Sequence, residues 1–143
     1  MPETKEVDRS LLDMNCDVPE PISVQPGEYG LELTKLSLKL SGTGNLMLSA
    51  YFTVDGHPEA KLIGEHYVLP TTNCDPQQLY NRKLALKRLA AQCGLEVNTL
   101  MEWAATAAVG DAFKEVAGMK VRAILKEESD EQYGTSNRIG RWL

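Results

Sequence analysis

No apolar run in the 143 residues approaches the roughly 20 needed to cross a bilayer as a helix. The first twenty residues also lack the basic-then-apolar order of a secretory signal. They are acidic, with Glu3, Glu6, Asp8, Asp13, Asp17 and Glu20 against Lys5 and Arg9. The expectation is a protein with neither signal peptide nor membrane contact. Cysteine is scarce: Cys16, Cys74 and Cys93 are odd in number and contain no C-x-x-C pair. This speaks against a disulfide framework and a structural zinc site, and it suits a reducing cytoplasm. Histidine is scarcer, with His57 and His66 alone and no second ligand at metal spacing. Gly42-Thr43-Gly44 is not followed by Gly-Lys-Ser/Thr, so it is no P-loop. The carboxylates form no pair suited to acid–base work. These absences predict a protein that is not an enzyme and carries no cofactor or metal.

The length is that of one domain. The net charge of −5 disfavours a protein that coats nucleic acid over its whole surface. The acidic groups gather in the leader and in Glu127-Glu128-Ser129-Asp130-Glu131, which reads as a solvated loop. The remainder is mildly basic and permits a local basic groove.

Residues 1–26 hold few apolar residues and Pro2, Pro19, Pro21 and Pro26, and read as an extended acidic leader that packs at most Leu11-Leu12 on the body. Residues 27–143 form the domain. Pro26-Gly27 turns into a first strand, where Tyr29, Leu31 and Leu33 alternate with polar residues. The alternation resumes as Leu36, Leu38 and Leu40, one residue out of phase at Thr34-Lys35. A β-bulge supplies the extra residue. A bulged first strand that changes face suits a small closed barrel, because one strand then serves two sheets. Ser41 to Asn45 is a glycine-containing turn. Leu46, Leu48, Ala50, Phe52 and Val54 mark a second strand, Asp55-Gly56 a turn, and Lys61 to Leu69 a third strand.

Asp75-Pro76 opens a helix that stops at Cys93-Gly94, with Leu79, Leu86, Leu89, Ala90 and Cys93 buried. A capping box of Thr99 and Glu102 starts a second helix that buries Leu100, Trp103 and Ala107. Asp111 to Val116 is a short third helical turn. Met119 to Lys126 and Ser136 to Leu143 are the last two strands. Three strands, a helical insert at about 75–117 and two strands predict a mainly β (α+β) fold: a five-stranded OB-like barrel, a class that often binds oligonucleotides.

Four short stretches carry a resemblance: Pro26-Gly27-Glu28-Tyr29, Phe52-Thr53-Val54-Asp55-Gly56, Gly118-Met119-Lys120-Val121, and Tyr133 with Asn137-Arg138-Ile139. In that order, over roughly residues 12–143, the chain resembles an uncharacterised family of small bacteriophage proteins. The resemblance implies an OB-like fold, a role in phage DNA replication or recombination in the host cytoplasm, and single-stranded DNA (ssDNA) as ligand. A recombinase, helicase or nuclease would be the protein partner. The chain departs from better-known ssDNA-binding proteins at its end, Arg138-Ile139-Gly140-Arg141-Trp142-Leu143, which is basic and apolar where those often carry an acidic tail.

Binding ssDNA without sequence readout needs bases for the phosphates and rings for stacking. The candidates are Lys35 and Lys39 from strand one, Tyr51 from the polar face of strand two, Tyr67 from strand three, Arg122 and Lys126 from strand four, and Arg138 from strand five. Each also has a plain reading, as a rim aromatic or a solubility charge. Arg82, Lys83, Lys87 and Arg88 make the densest basic cluster, which reads first as a solvated helix face. The competing expectation is an OB-fold protein-interaction module that recruits a replication or recombination partner without touching DNA.

Overall fold

The computed structural model describes residues 20–131 and 134–143. Cys16, the Leu11-Leu12 packing and Tyr133 lie outside the described residues. Five antiparallel strands form one sheet in the order β3-β2-β1-β4-β5. They are β1 (Gly27–Leu40), β2 (Leu46–Val54), β3 (Ile63–Val68), β4 (Met119–Asp130) and β5 (Gly134–Trp142). Between β3 and β4 in the chain come α1 (Pro76–Gln92), α2 (Val97–Thr106) and a 3-10 turn at Lys114–Val116. No helix among the described residues is long and apolar enough to cross a membrane.

The phase slip in β1 becomes a bulge between Leu33 and Lys35, with the Thr34 hydroxyl donating to the Tyr51 carbonyl at 3.0 Å. The bulge cancels the slip instead of turning a second face to the core. Leu31, Leu33, Leu36 and Leu38 are all buried in one apolar cluster. What changes at the bulge is the neighbour. Gly27 to Leu33 pair with β4, whereas the later half of β1 meets residues 110–113 on that side. Phe113 N–H donates to Leu36 O and Leu38 N–H to Asp111 O. Residues 111–113 are therefore extended, and the expected helical turn shrinks to Lys114–Val116.

The core is filled by the β1 leucines, Leu48, Phe52, Ile63, Val121 and Leu125 from the sheet, and by Leu86, Leu89 and Leu100 from the helices. α1 begins as expected: Asp75 Oδ1 accepts from Gln78 N–H at 2.8 Å, and Pro76 fills the first turn. Gly94, at φ +69°, ends it. α2 begins two residues before the Thr99 expected to cap it. The Glu96 carbonyl accepts from both Thr99 and Leu100 N–H, so Thr99 is already inside the helix.

The acidic run is not a loop. Glu127 to Asp130 continue β4 and pair with Asn137 to Gly134, so two strands project as a hairpin beyond the rest of the sheet. β5 accordingly starts at Gly134.

The sheet is not closed. β3 and β5 are its two edges and share no backbone ladder. Other contacts span the seam between them, among them the Lys61 ammonium donating to Thr135 O at 2.7 Å. At one end, Ile22 pairs with Ala60 before β3, and buried Val24 exchanges two bonds with the Asn137 side chain on β5, at 2.8 and 2.9 Å. Val24, placed in the leader by the sequence reading, thus belongs to the core. In the middle, Glu65 of β3 accepts from Ile139 N–H at 2.7 Å and from the Arg138 guanidinium at 2.9 and 3.1 Å. At the other end α1 covers the seam and leaves a cleft.

Candidate functional site

The second half of β1 and strands β2 and β3 present an outward face. Register places Lys35 opposite Tyr51, Tyr51 opposite Gly64, Ser37 opposite Ser49, and Ser49 opposite His66. Tyr51 lies over Gly64; a Cβ there would come within 3.3 Å of the ring, so glycine gives the tyrosine its place. Lys39 bonds the Tyr51 hydroxyl and sets its ammonium 4.6 Å from the ring centroid. Such a cation–π contact orients a flexible lysine at little cost. His66 meets Tyr51 edge-on at 6.2 Å, and its Nδ1 pairs with the Ser49 hydroxyl at 2.7 Å. Ser37 Oγ, in the same patch, is buried with no hydrogen-bond partner among the described residues.

The charge of this patch is positive. Partial burial, then the nearby Lys39 and Arg138, hold the His66 pKa below its ordinary 6.5. Lys35 and Lys39 have no carboxylate partner among the described residues, unlike the other candidate cations. Arg122 is held by Glu28 at 2.7 Å, Lys126 by Glu128 at 3.4 Å, and Arg138 by Glu65 and Glu128. Arg122 is in register with Gly30, in the half of β1 before the bulge, and so is not brought to the Lys39 patch. Lys126 and Arg138 face each other across β4–β5.

Tyr67 is the clearest departure from expectation. It pairs with Leu48 on the core side of β2, so it lies on the face opposite Tyr51. Burial pushes its phenol pKa well up. The adjacent residue His66 occupies the outward position instead. Nothing local in the weakly periodic third strand marks His66, because its face depends on register and a shift of one residue exchanges the faces.

In the helical cluster, Arg82 is committed locally, donating to Cys74 Sγ at 2.7 Å. Trp103 stacks on Phe113 at 5.2 Å, and Trp142 meets Phe52 at 5.8 Å. The Ser41–Asn45 turn is tied by its own bonds, Ser41 N–H to Asn45 O and Asn45 N–H to Ser41 Oγ. No group of three His, Cys, Asp or Glu side chains among the described residues is placed to hold a metal ion. No protein-family model matches the chain, and no curated protein matches it either.

Proposed function

We propose that the chain is a non-enzymatic ssDNA-binding protein of OB-like architecture that acts in phage DNA replication or recombination. The observation that carries the reading is the outward patch of Lys35, Lys39, Tyr51 and His66, with two lysines that no carboxylate among the described residues neutralises and one ring already flanked by a cation. The OB-like assignment rests on five antiparallel strands whose edges, β3 and β5, approach one another at Glu65 and Arg138. The phage role rests on the motif resemblance. Few free cations and a net charge of −5 make the binding weak and salt-sensitive.

The test is a titration of labelled oligo-dT at low salt. Stacking contributes about 1–3 kcal/mol per base, so Tyr51→Ala weakens binding about fivefold or more with the fold intact. Absence of wild-type binding at micromolar protein refutes the proposal.

A second reading has its own observation. An apolar groove between the Gly44–Leu46 corner, Leu69-Pro70 and α2 is lined by Leu46, Met101 and Ala104, with Leu46 itself exposed. It favours a module that recruits a recombinase, helicase or nuclease without touching DNA. Retention of such a partner by a variant that has lost DNA binding separates the two readings.

A further inference from the structure

The cleft where α1 covers the seam shares no lining residue with the outward patch of Lys35, Lys39, Tyr51 and His66, and a ligand in it does not depend on that patch. Its volume is about 620 Å³, and small-molecule sites span roughly 300–1,000 Å³. α1 supplies Arg88 and Gln92; β3 and β5 supply Tyr67, Ile139, Arg141 and Trp142. The described arginines divide into two kinds. Arg82, Arg122 and Arg138 are each bonded to a neighbour. Arg88 and Arg141, both exposed, have no hydrogen-bond or ion-pair partner among the described residues. They line the same cleft from its two sides.

The one carboxylate there among the described residues, Glu65, is occupied by Arg138 and by Ile139 N–H. The cleft therefore keeps uncompensated positive charge. Two rings line it: Trp142, set edge-on to Phe52, and the largely buried Tyr67, whose phenol pKa burial pushes up. Guanidinium forks match phosphate geometry, indole and phenol rings stack on bases, and the Gln92 amide can both donate to and accept from a base edge.

We propose that this cleft is a nucleotide site, with Arg88 and Arg141 on the phosphate and the Trp142 and Tyr67 rings against the base, the nucleotide being either free or one unit of a strand. Two indole N–H resonances report on it. Trp142 lines the cleft, whereas Trp103 packs on Phe113 and serves as control. In a proton–nitrogen correlation spectrum, dTMP at millimolar concentration or a dT oligonucleotide shifts the Trp142 indole saturably and leaves Trp103 in place. Saturation by dTMP identifies a free nucleotide; a response to the oligonucleotide alone identifies a strand. Arg88→Glu with Arg141→Glu raises the dissociation constant about tenfold or more, through loss of two charge-assisted contacts. An unmoved Trp142 with both ligands overturns the proposal. So does a response that survives the double substitution, or one that inorganic phosphate reproduces in full. Should the double variant misfold, Arg88→Gln and Arg141→Gln singly carry the same comparison. Tyr51→Ala weakens oligonucleotide binding on the outward face about fivefold or more and leaves the dTMP response at Trp142 unchanged, so the two proposals fail separately.

Discussion

Glu65→Ala removes the side chain that bridges β3 to β5 in the middle of the seam. The carboxylate is 12% exposed and receives three bonds, one from Ile139 N–H at 2.7 Å and two from Arg138. A hydrogen bond to a charged group contributes about 1.5–3 kcal/mol, and this one saturates a backbone donor that β3 leaves unpaired. The Arg138 side chain is 40% exposed, so its ion pair adds only about 0.5–1 kcal/mol after solvent screening. Together they set a loss of about 2–4 kcal/mol in a urea denaturation curve. Glu65→Gln keeps an acceptor for the Ile139 amide and gives up only the charge, so its loss is about 1 kcal/mol. Amide hydrogen exchange adds a local readout: Ile139 loses protection in the alanine variant and retains most of it in the glutamine variant. If Glu65→Ala changes stability by less than about 0.5 kcal/mol with Ile139 still protected, the seam is held by something other than this carboxylate. If the two variants are equally destabilised, the ion pair rather than the amide bond is what matters.

Asn137→Ala leaves Val24 N–H and C=O without partners in a buried place, at a cost of about 2–4 kcal/mol measured by urea unfolding. Partial burial beside Lys39 and Arg138 lowers the His66 pKa from its ordinary 6.5, an expectation that a pH titration of its imidazole resonances checks. Because the unfolded chain then binds the proton more readily, stability is full above pH 6.5 and declines as pH falls from there to the folded pKa, a decline that His66→Gln removes. Bound oligonucleotide offsets the charges of Lys39 and Arg138 and moves the His66 midpoint upward; an unmoved midpoint places the phosphates elsewhere. Charge reversal at Lys35 and Lys39 lowers affinity and flattens its salt dependence, whereas reversal at Arg122, already paired with Glu28, has the smaller effect on both in the same titration.

Local chemistry was legible in the residues. The phase slip at Thr34-Lys35 located the bulge, because a strand with one buried face tolerates an extra residue only there. Asp75-Pro76 and Gly94 bounded α1, because helix ends need side-chain acceptors and a positive φ within a few residues. The clean alternation in β2 put Tyr51 on the polar face. Long-range pairing was not legible. The face of Tyr67 depends on its register with Leu48, and β3 carries apolar residues on both sides. The acidic run at 127–130 gives no apolar signal, and only pairing with β5 makes it strand. Ion pairs between distant residues decided which cations stay free: Glu28 takes Arg122, and Glu65 and Glu128 take Arg138. The cleft, too, exists only where α1 meets β3 and β5. Arg88 and Arg141 stand 53 positions apart in the chain (141 − 88), and no periodicity brings them to one place; the packing of a helix over an unpaired sheet edge does.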